Sequence, residues 1–266
     1  MFLRSGDHRG EDASRHTPFA PLVRAVLAAA LGLGLAAQGQ AVEVSRDLQV
    51  RELRPGVWLH TSWKVLPDKT RFPSNGLVVR EGDHLLLIDT AWGEPLTEAL
   101  FKWIDDTLRL PVRAAIVTHA HDDRMGGAPV LVRRGITFYG RPMTRTIALE
   151  QKLPPPLALR GLAAVGGTDH VGSAEVFYPG AAHTRDNVVV WLPGSRVLFG
   201  GCAVRTASDT SLGNVADADV KEWPASIRRV RERYPKAEVV VPGHGEPGGR
   251  QLLEHTLALL TPQPVR

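Results

Sequence analysis

Two histidines and an aspartate stand at alternate positions in one short segment of this sequence, a spacing that suits a metal site. His119, His121 and Asp123 follow directly after an apolar run that ends at Val117. In extended backbone, side chains two residues apart point the same way, so these imidazoles and the carboxylate can converge on one ion. A His-x-His pair by itself is common, and two core or surface histidines are the ordinary alternative.

Three further residues of ligand type lie beside glycines at the ends of predicted strands. They are His183 in Pro-Gly-Ala-Ala-His-Thr, Cys202 after a Gly-Gly pair, and His244 in Pro-Gly-His-Gly. Glycine beside a ligand lets the backbone turn sharply and leaves room for an ion or a substrate, and strand ends commonly carry ligand groups. This setting favours metal ligation over capping. Four other histidines lack it and are expected to be structural or exposed: His60, His84, His170 and His255.

The N-terminal segment predicts export. Arg24 precedes an apolar run over 25–37, and Ala41 is a small residue at a plausible cleavage position. The run is shorter than the roughly 20 residues that span a bilayer, which makes a membrane anchor the weaker alternative. We therefore expect a signal peptide over 1–41, a mature domain over 42–266, and a periplasmic location with no membrane anchor after signal removal.

Cys202 is the sole cysteine of the 266 residues, so no intrachain disulfide can form. An exported thiol needs protection from oxidation. Burial as a small apolar residue is the ordinary explanation, and coordination to a metal as a thiolate is the alternative. The ligand-type residues elsewhere in the chain favour coordination.

The composition is that of a soluble globular enzyme. Hydrophobic residues make up 43% of the chain and charged residues 23%, and the length allows one large domain or two small ones. The formal net charge of +4 comes from scattered Arg and Lys rather than from a basic block, so nucleic acid is not an expected partner.

The elements that position these residues begin with an antiparallel meander. Short β-type runs predict strands at 48–53, 57–63, 76–80 and 84–89. Between the second and the third lies 64–75, which contains several turn-forming residues and predicts a protruding hairpin loop. Trp63 and Phe72 stand near the ends of this loop.

Strands and helices alternate in the rest of the chain. Spacings of three and four between apolar residues predict helices at 94–108, 124–134, 142–151, 218–233 and 249–260. Further strands are predicted at 114–117, 136–139, 174–178, 187–192, 196–200 and 238–241. Because each half has strands followed by helices, we expect an α/β (α+β) fold with two sheets packed face to face and helices outside.

Five stretches of the chain resemble class B metallo-β-lactamases, specifically the VIM-like type. They lie at 119–127, 177–187, 200–203, 213–219 and 242–245, and the resemblance covers nearly all of the predicted mature chain. It implies an αββα sandwich of two mixed β-sheets with helices on the outer faces. The active site is then expected in the groove between the edges of the two sheets.

The resemblance also implies two zinc ions per chain. His119, His121 and His183 would bind the first, while Asp123, Cys202 and His244 would bind the second. Three neutral imidazoles leave the open fourth position of a catalytic zinc. The carboxylate and the thiolate offset the charge of the second ion.

The activity implied is hydrolysis of the β-lactam ring amide of penicillins, cephalosporins and carbapenems, conferring antibiotic resistance. Zinc lowers the pKa of bound water from about 15.7 to about 7, which makes a zinc-bound hydroxide available at neutral pH. The resemblance places Asp123 and Asn214 in catalysis, with the Asn214 amide helping to bind the developing oxyanion; a turn residue is the alternative for Asn214. The partner is a small-molecule antibiotic, and we expect a monomer.

Arg124 separates this activity from others in the superfamily. Hydrolases of the glyoxalase and lactonase type are expected to carry His after the motif's Asp, and a bridging Asp where this chain has Cys202. Arginine cannot ligate a cation, so the second site needs another donor. Arg124 then orients Asp123 or the thiolate, with a surface ion pair as the alternative. A hydrolase of thioesters, lactones or phosphoesters and a non-catalytic zinc protein are the competing hypotheses.

Four residues complete the predicted site. Arg205 is expected to clamp the substrate carboxylate through a bidentate contact, where many relatives have Lys or Tyr. Trp63 and Phe72 are expected to cover the substrate, with core packing as the alternative. Asp89 resembles a buried acid that supports the ligands, with a strand-end cap as the alternative.

Overall fold

The fold is built on apolar strands whose side chains point alternately into two hydrophobic cores. In the computed structural model, which describes residues 39–261, Leu85 and Leu87 face one apolar cluster, while Leu86 and Ile88 face another. Successive side chains of a strand point to opposite faces, so a strand that is apolar throughout must be covered on both sides. The predicted signal peptide over 1–41 lies outside the described residues except for its last three positions.

The first sheet has eight strands within the described range. They are β1 (Val42–Ser45), β2 (Leu48–Arg54), β3 (Val57–Val65), β4 (Arg71–Glu81), β5 (His84–Ile88), β6 (Val112–Ile116), β7 (Thr137–Gly140) and β8 (Leu157–Ala158). Strands β1 to β5 pair antiparallel with their neighbours in chain order, while β5 to β8 pair parallel. Parallel pairing requires long crossover connections, and helices supply them.

The second sheet has five strands in the same part of the chain. They are β9 (Thr168–Val171), β10 (Ala174–Phe177), β11 (Val189–Leu192), β12 (Val197–Gly201) and β13 (Val239–Pro242). The spatial order is β13-β12-β11-β10-β9, and only β12 and β13 are parallel. Both sheets are therefore mixed.

Helices cover the outer face of each sheet. They are α1 (Gly93–Trp103), α2 (Asp122–Met125), α3 (Ala128–Arg133), α4 (Pro142–Glu150), α5 (Trp223–Arg233) and α6 (Gln251–Leu260). Helices α1, α3 and α4 pack on the first sheet, α5 and α6 pack on the second, and a third cluster fills the space between the sheets. This confirms the predicted αββα sandwich. No helix of the described residues is long and apolar enough to cross a membrane.

The predicted hairpin loop over 64–75 is mostly strand. Strands β3 and β4 continue into it, so that Lys64 pairs with Phe72 and only 66–70 form the turn. Pro73 is tolerated because β5 pairs with β4 only from Leu77 onwards, which leaves the other side of Pro73 outside the sheet. The prediction of a loop was therefore wrong over most of its length.

Three predicted helices differ from the structure in detail. The predicted helix 94–108 is helical over almost the same range, as an α-helix to Trp103 and as a π-helix over Ile104–Leu108. The predicted helix 124–134 is interrupted at Gly127, where a Cβ would lie 2.1 Å from Thr97 Oγ1. The predicted helix 218–233 begins only at Trp223, with Pro224 in its first turn, and Asp219 Oδ1 accepts the Glu222 N–H in the turn that precedes it.

Candidate metal centre

Six side chains of ligand type meet where strands of both sheets end. His119, His121 and Asp123 follow β6, while the other three follow strands of the second sheet: His183 after β10, Cys202 after β12 and His244 after β13. The carboxyl ends of neighbouring parallel strands lie at the same edge of a sheet, which brings Cys202 and His244 together. The ligand atoms form two groups, His119 with His121 and His183, and Asp123 with Cys202 and His244.

The three-histidine group has the dimensions of a zinc site. His121 Nδ1 lies 3.1 Å from His119 Nε2 and 3.3 Å from His183 Nε2. Zinc bound tetrahedrally to nitrogen at about 2.0–2.1 Å places its ligand atoms roughly 3.3 Å apart. The imidazoles therefore fit one ion and leave a fourth position for water or substrate.

Burial keeps two of these imidazoles, those of His119 and His183, in the neutral form that a metal needs. It lowers the pKa of His119 well below its usual value and the pKa of His183 to about 3, and the neighbouring His121 ring adds to both shifts. Both rings are therefore neutral at pH 7, with a lone pair available for coordination.

The second group also fits zinc, but it carries acidic ligands. Cys202 Sγ lies 3.2 Å from His244 Nε2 and 3.9 Å from Asp123 Oδ2, and the last two atoms are 3.5 Å apart. Burial raises the pKa of the Cys202 thiol to about 12, although Arg124 acts in the opposite direction. A bound cation supplies the charge that lets such a thiol ionise. The chain thus has a three-histidine metal site and an Asp–Cys–His metal site.

Arg124 lies behind the second site and contacts its two acidic ligands. Its guanidinium is 2.8 Å from Asp123 Oδ2 and donates to Cys202 Sγ at 3.1 Å and to the Gly243 carbonyl at 2.7 Å. Burial alone would lower the pKa of Arg124, but the negative charges of Asp123, Cys202 and Asp89 have the larger, opposite effect. The net pKa is therefore above the usual value for arginine, and the side chain is charged. Because the side chain is fully buried, the alternative of a surface ion pair is wrong.

Asp89 supports the same region from the end of β5. Its carboxylate accepts the Thr118 N–H at 2.7 Å and the Thr118 hydroxyl at 2.8 Å, and it lies 3.5 Å from Arg124. Thr118 immediately precedes His119, so these bonds hold the start of the ligand segment. Burial raises the pKa of Asp89 to about 7. The two hydrogen bonds from Thr118 to Asp89 fit both interpretations of Asp89, as a support for the ligands and as a cap at the end of the strand.

Three orienting contacts were not predicted from the sequence. His121 Nε2 donates to Asp217 Oδ2 at 3.1 Å, and His244 Nδ1 donates to the Pro73 carbonyl at 2.6 Å. The Asn75 amide donates to two carbonyls on either side of His244, those of Pro242 and Gly245. Such partners fix the orientation of a ligating imidazole. Asp217 at least lies in one of the stretches that carry the family resemblance, whereas Asn75 gave no signal.

The two aromatic residues of the hairpin lie on different faces. The Phe72 ring is 4.7 Å from the His244 ring, beside the second site. Trp63 pairs with Pro73, one position away, so its side chain points to the opposite face and stacks on Arg71 at 4.3 Å. The structure thus places Phe72 at the metal centre and corrects the expectation that Trp63 covers the same substrate.

A groove lies in front of the metal sites, and several of the residues that line it were not predicted from the sequence. It is lined by Lys64, Trp92, Ala120, His121, Asp122, Asp123, Gln151, Asn214 and Asp217. The Trp92 indole and the Lys64 ammonium both donate to Asp122 Oδ2 at 2.8 Å. Asp122 therefore ties the hairpin to the ligand segment.

Asn214 lines this groove, and the terminal nitrogens of Arg205 lie beside Gly213, the residue that precedes it. Asn214 is exposed, and its Oδ1 accepts the Ala216 N–H at 3.1 Å, which is the turn role left open above. Within residues 39–261 its Nδ2 donates to no protein acceptor, so the amide donor remains available. The Arg205 side chain is only 8% exposed and pairs with Asp209.

The chain is similar to metallo-β-lactamases in sequence and in structure. Residues 70–244 match the family model of the Metallo-beta-lactamase superfamily. A metallo-beta-lactamase type 2 from Bacillus cereus is 42% identical over 214 residues, which cover 80% of this chain and 82% of the relative. One from Bacteroides fragilis is 36% identical over 223 residues, covering 82% and 87%.

Solved structures agree with these matches. The metallo-beta-lactamase of Hirschia baltica superposes with a TM-score of 0.79 at 35% identity, covering 82% of this chain and all of that one. The mono-zinc form of FIM-1 from Pseudomonas aeruginosa gives a TM-score of 0.77 at 39% identity, covering 82% and 97%.

Proposed function

This chain belongs to the metallo-β-lactamase superfamily, as a B1-like class B member with a three-histidine site and an Asp–Cys–His site, and we propose that it hydrolyses the ring amide of β-lactams with two zinc ions. The observation that carries the proposal is the second ligand set. Cys202 and Asp123 face one ion position while Arg124 occupies the place behind them. This arrangement favours a β-lactamase over a hydrolase of thioesters, lactones or phosphoesters.

Each part of the groove has a definite task in this reaction. When bound, the zinc ions supply an acidified water for attack and positive charge for the developing anions. Asp217 holds the proton on His121 Nε2, so that Nδ1 is free for coordination. The Asn214 amide offers a donor to the carbonyl oxygen of the substrate. Phe72 excludes water above the second site.

The test is hydrolysis by purified, zinc-loaded protein. We expect penicillins and carbapenems to be opened, and we expect a chelator to abolish the activity and zinc to restore it. A thioester and a lactone are the comparison substrates. Cleavage of these with every β-lactam left intact would overturn the proposal in favour of another metallo-hydrolase.

Arg205 is proposed to bind the substrate carboxylate. Arg205→Ala is expected to raise KM about tenfold or more with a smaller change in kcat, because a hydrogen bond between charged groups contributes roughly 1.5–3 kcal/mol. The matched control is Arg231→Ala, which removes an arginine paired with Glu254 on the outer helices. A KM equal to that of the unmodified protein would remove Arg205 from the substrate site.

We further propose export to the periplasm through 1–41, a monomeric state and antibiotic resistance as the result. The apolar run over 25–37 supports export. Cells that express the full chain should hold the protein in the periplasmic fraction and grow at higher β-lactam concentrations than cells that express 42–266. Equal protection from the cytoplasmic version would contradict the export proposal, and a light-scattering mass of two chains would contradict the monomer.

Within class B, we propose a VIM-like member. The stretch from His119 to Gly127 and the sequence around Asn214 support this finer assignment. A substrate profile with efficient turnover of penicillins, cephalosporins and carbapenems alike is expected. Restriction to carbapenems would speak against it.

A further inference from the structure

The guanidinium of Arg205 is already paired with a carboxylate of this chain. Arg205 Nε lies 2.8 Å from Asp209 Oδ2, and the two side chains are 8% and 24% exposed. Charges shielded from water to this degree interact more strongly than exposed ones. The cation expected to attract a substrate carboxylate is therefore partly neutralised before the substrate arrives.

Asp209 is held in this position by several backbone bonds. Its N–H donates to the Thr206 carbonyl at 3.1 Å, and its Oδ2 accepts the Thr206 N–H at 3.2 Å. Helix α6 fixes both partners, because His255 Nε2 donates to the Asp209 carbonyl at 2.9 Å and Thr256 Oγ1 accepts the Arg205 N–H at 2.9 Å. The acid and the arginine form one rigid unit, rather than two flexible surface groups.

The pairing leaves the outer edge of the guanidinium free. The Arg205 Nε–H does not point at an acceptor, so the contact with Asp209 is an ion pair and not a straight hydrogen bond. The terminal nitrogens lie beside Gly213, where a Cβ would be 3.1 Å from Nη2 and 3.4 Å from Nη1. Gly213 directly precedes Asn214 of the groove wall, so the donating fork lies next to the proposed substrate position.

We propose that Asp209 is a specificity-determining residue of this site. It offsets the charge of Arg205, so that a substrate carboxylate is selected by the hydrogen-bonding fork of the guanidinium and not by net positive charge. The inference rests on the proposed function, in which Arg205 binds the carboxylate of a β-lactam. It predicts that the unmodified site binds acidic substrates less tightly than an unpaired arginine would, and with little dependence on salt.

The decisive variant is Asp209→Asn, which removes the charge and keeps the shape and the acceptor for Thr206. Because Arg205 is held by packing and by α6, loss of the charge should exceed any loss of position. KM for benzylpenicillin should fall about three- to tenfold, as expected for one unit charge a few ångströms away at intermediate dielectric. KM should also rise more steeply with ionic strength than it does in the unmodified protein.

Two comparisons show whether the effect passes through Arg205 and the carboxylate. KM for the methyl ester of benzylpenicillin should not change in Asp209→Asn, because the ester has no charge to attract. In an Arg205→Ala background, the effect of Asp209→Asn on KM for the acid should be clearly smaller, because the carboxylate is no longer held beside Asp209. The matched control is Glu98→Gln, which removes an exposed carboxylate paired with Arg133 on the helices that cover the first sheet.

The opposite pattern overturns the inference. If Asp209→Asn raises KM, or lowers kcat equally for the acid and the ester, Asp209 only supports the fold. An effect of equal size in the Arg205→Ala background shows that Asp209 acts independently of Arg205, and this also overturns the inference.

Failure of the proposed function is recognised separately. Zinc-loaded protein that leaves benzylpenicillin intact refutes β-lactam hydrolysis, and dissociation constants of the acid and the ester then replace KM in the same comparison. Equal dissociation constants for the acid in the unmodified protein and in Asp209→Asn overturn the role of Asp209.

Discussion

The two ion positions differ more in what surrounds them than in their dimensions. The three-histidine site has no acidic ligand, and the Asp217 carboxylate that contacts His121 is 65% exposed. The Asp–Cys–His site has two acidic ligands and a cation, Arg124, all buried. The first site therefore contains no buried charges of its own, whereas the second depends on a balance between buried negative and positive groups.

This difference gives Arg124 a particular role. In the metal-free chain, His119 and His183 of the first site need no counter-ion because burial lowers their pKa values. Asp123 in the second site would be a buried, unpaired carboxylate without Arg124, which is costly. Arg124 therefore gives the fold the positive charge that a bound ion would otherwise contribute.

Removal of a ligand is the largest change that can be made to either site. His183→Ala and Cys202→Ala are each expected to lower kcat at least about a thousandfold, because loss of an outer contact alone typically costs 10- to 100-fold. Zinc content should fall from two ions to one per chain in each variant, measured on purified protein. His170→Ala, at an exposed histidine, is the control. Two retained ions and near-normal turnover would remove the residue from the ligand set.

Arg124→Ala tests the balance of charges directly. In metal-free protein it should lower the free energy of unfolding by about 3–5 kcal/mol, because buried acids lose their partner. Asp217→Asn, at the exposed carboxylate of the other site, should lower it by less than about 1 kcal/mol.

Urea denaturation of metal-free protein measures both changes. Arg133→Ala is the matched control for loss of an arginine, since Arg133 pairs with Glu94 and Glu98 at the surface. Equal losses for Arg124→Ala and Arg133→Ala would mean that the second site does not depend on an internal cation.

The smallest predicted effect is a difference in pH dependence. The Cys202 thiol has a pKa of about 12 without metal, so binding of the second ion releases a proton and its affinity should rise about tenfold per pH unit. Between about pH 7 and 9 the first site should show almost no slope, because the pKa of His183 is about 3 and that of His119 is also low. Zinc titrations against a competing chelator measure both slopes. Two parallel slopes would contradict the distinction.

Local spacing made much of this centre predictable. His119, His121 and Asp123 are close in sequence, which identified the ligand segment, although Asp123 lies in helix α2 and contributes to the other ion position than the two histidines. The strands of the central sheets could be located because they are apolar on both faces. The sandwich follows from the order of these strands and the amphipathic helices.

Partners that are distant in sequence could not be found in this way. Asp217 reaches His121 across 96 positions, and Asn75 reaches Gly245 across 170. The face of Trp63 depends on the register of the β3–β4 hairpin, and a shift of one residue reverses it. Such contacts depend on the packed fold rather than on a local pattern.

The hairpin formed by β3 and β4 supports the metal centre through its backbone and faces the groove through its side chains. It orients His244 with the carbonyl of Pro73, which survives any substitution that keeps the strand paired. Lys64 and Phe72 are therefore free to change under selection without loss of a ligand. In evolutionary terms, the range of accepted antibiotics can drift in this segment while the ion sites are inherited unchanged.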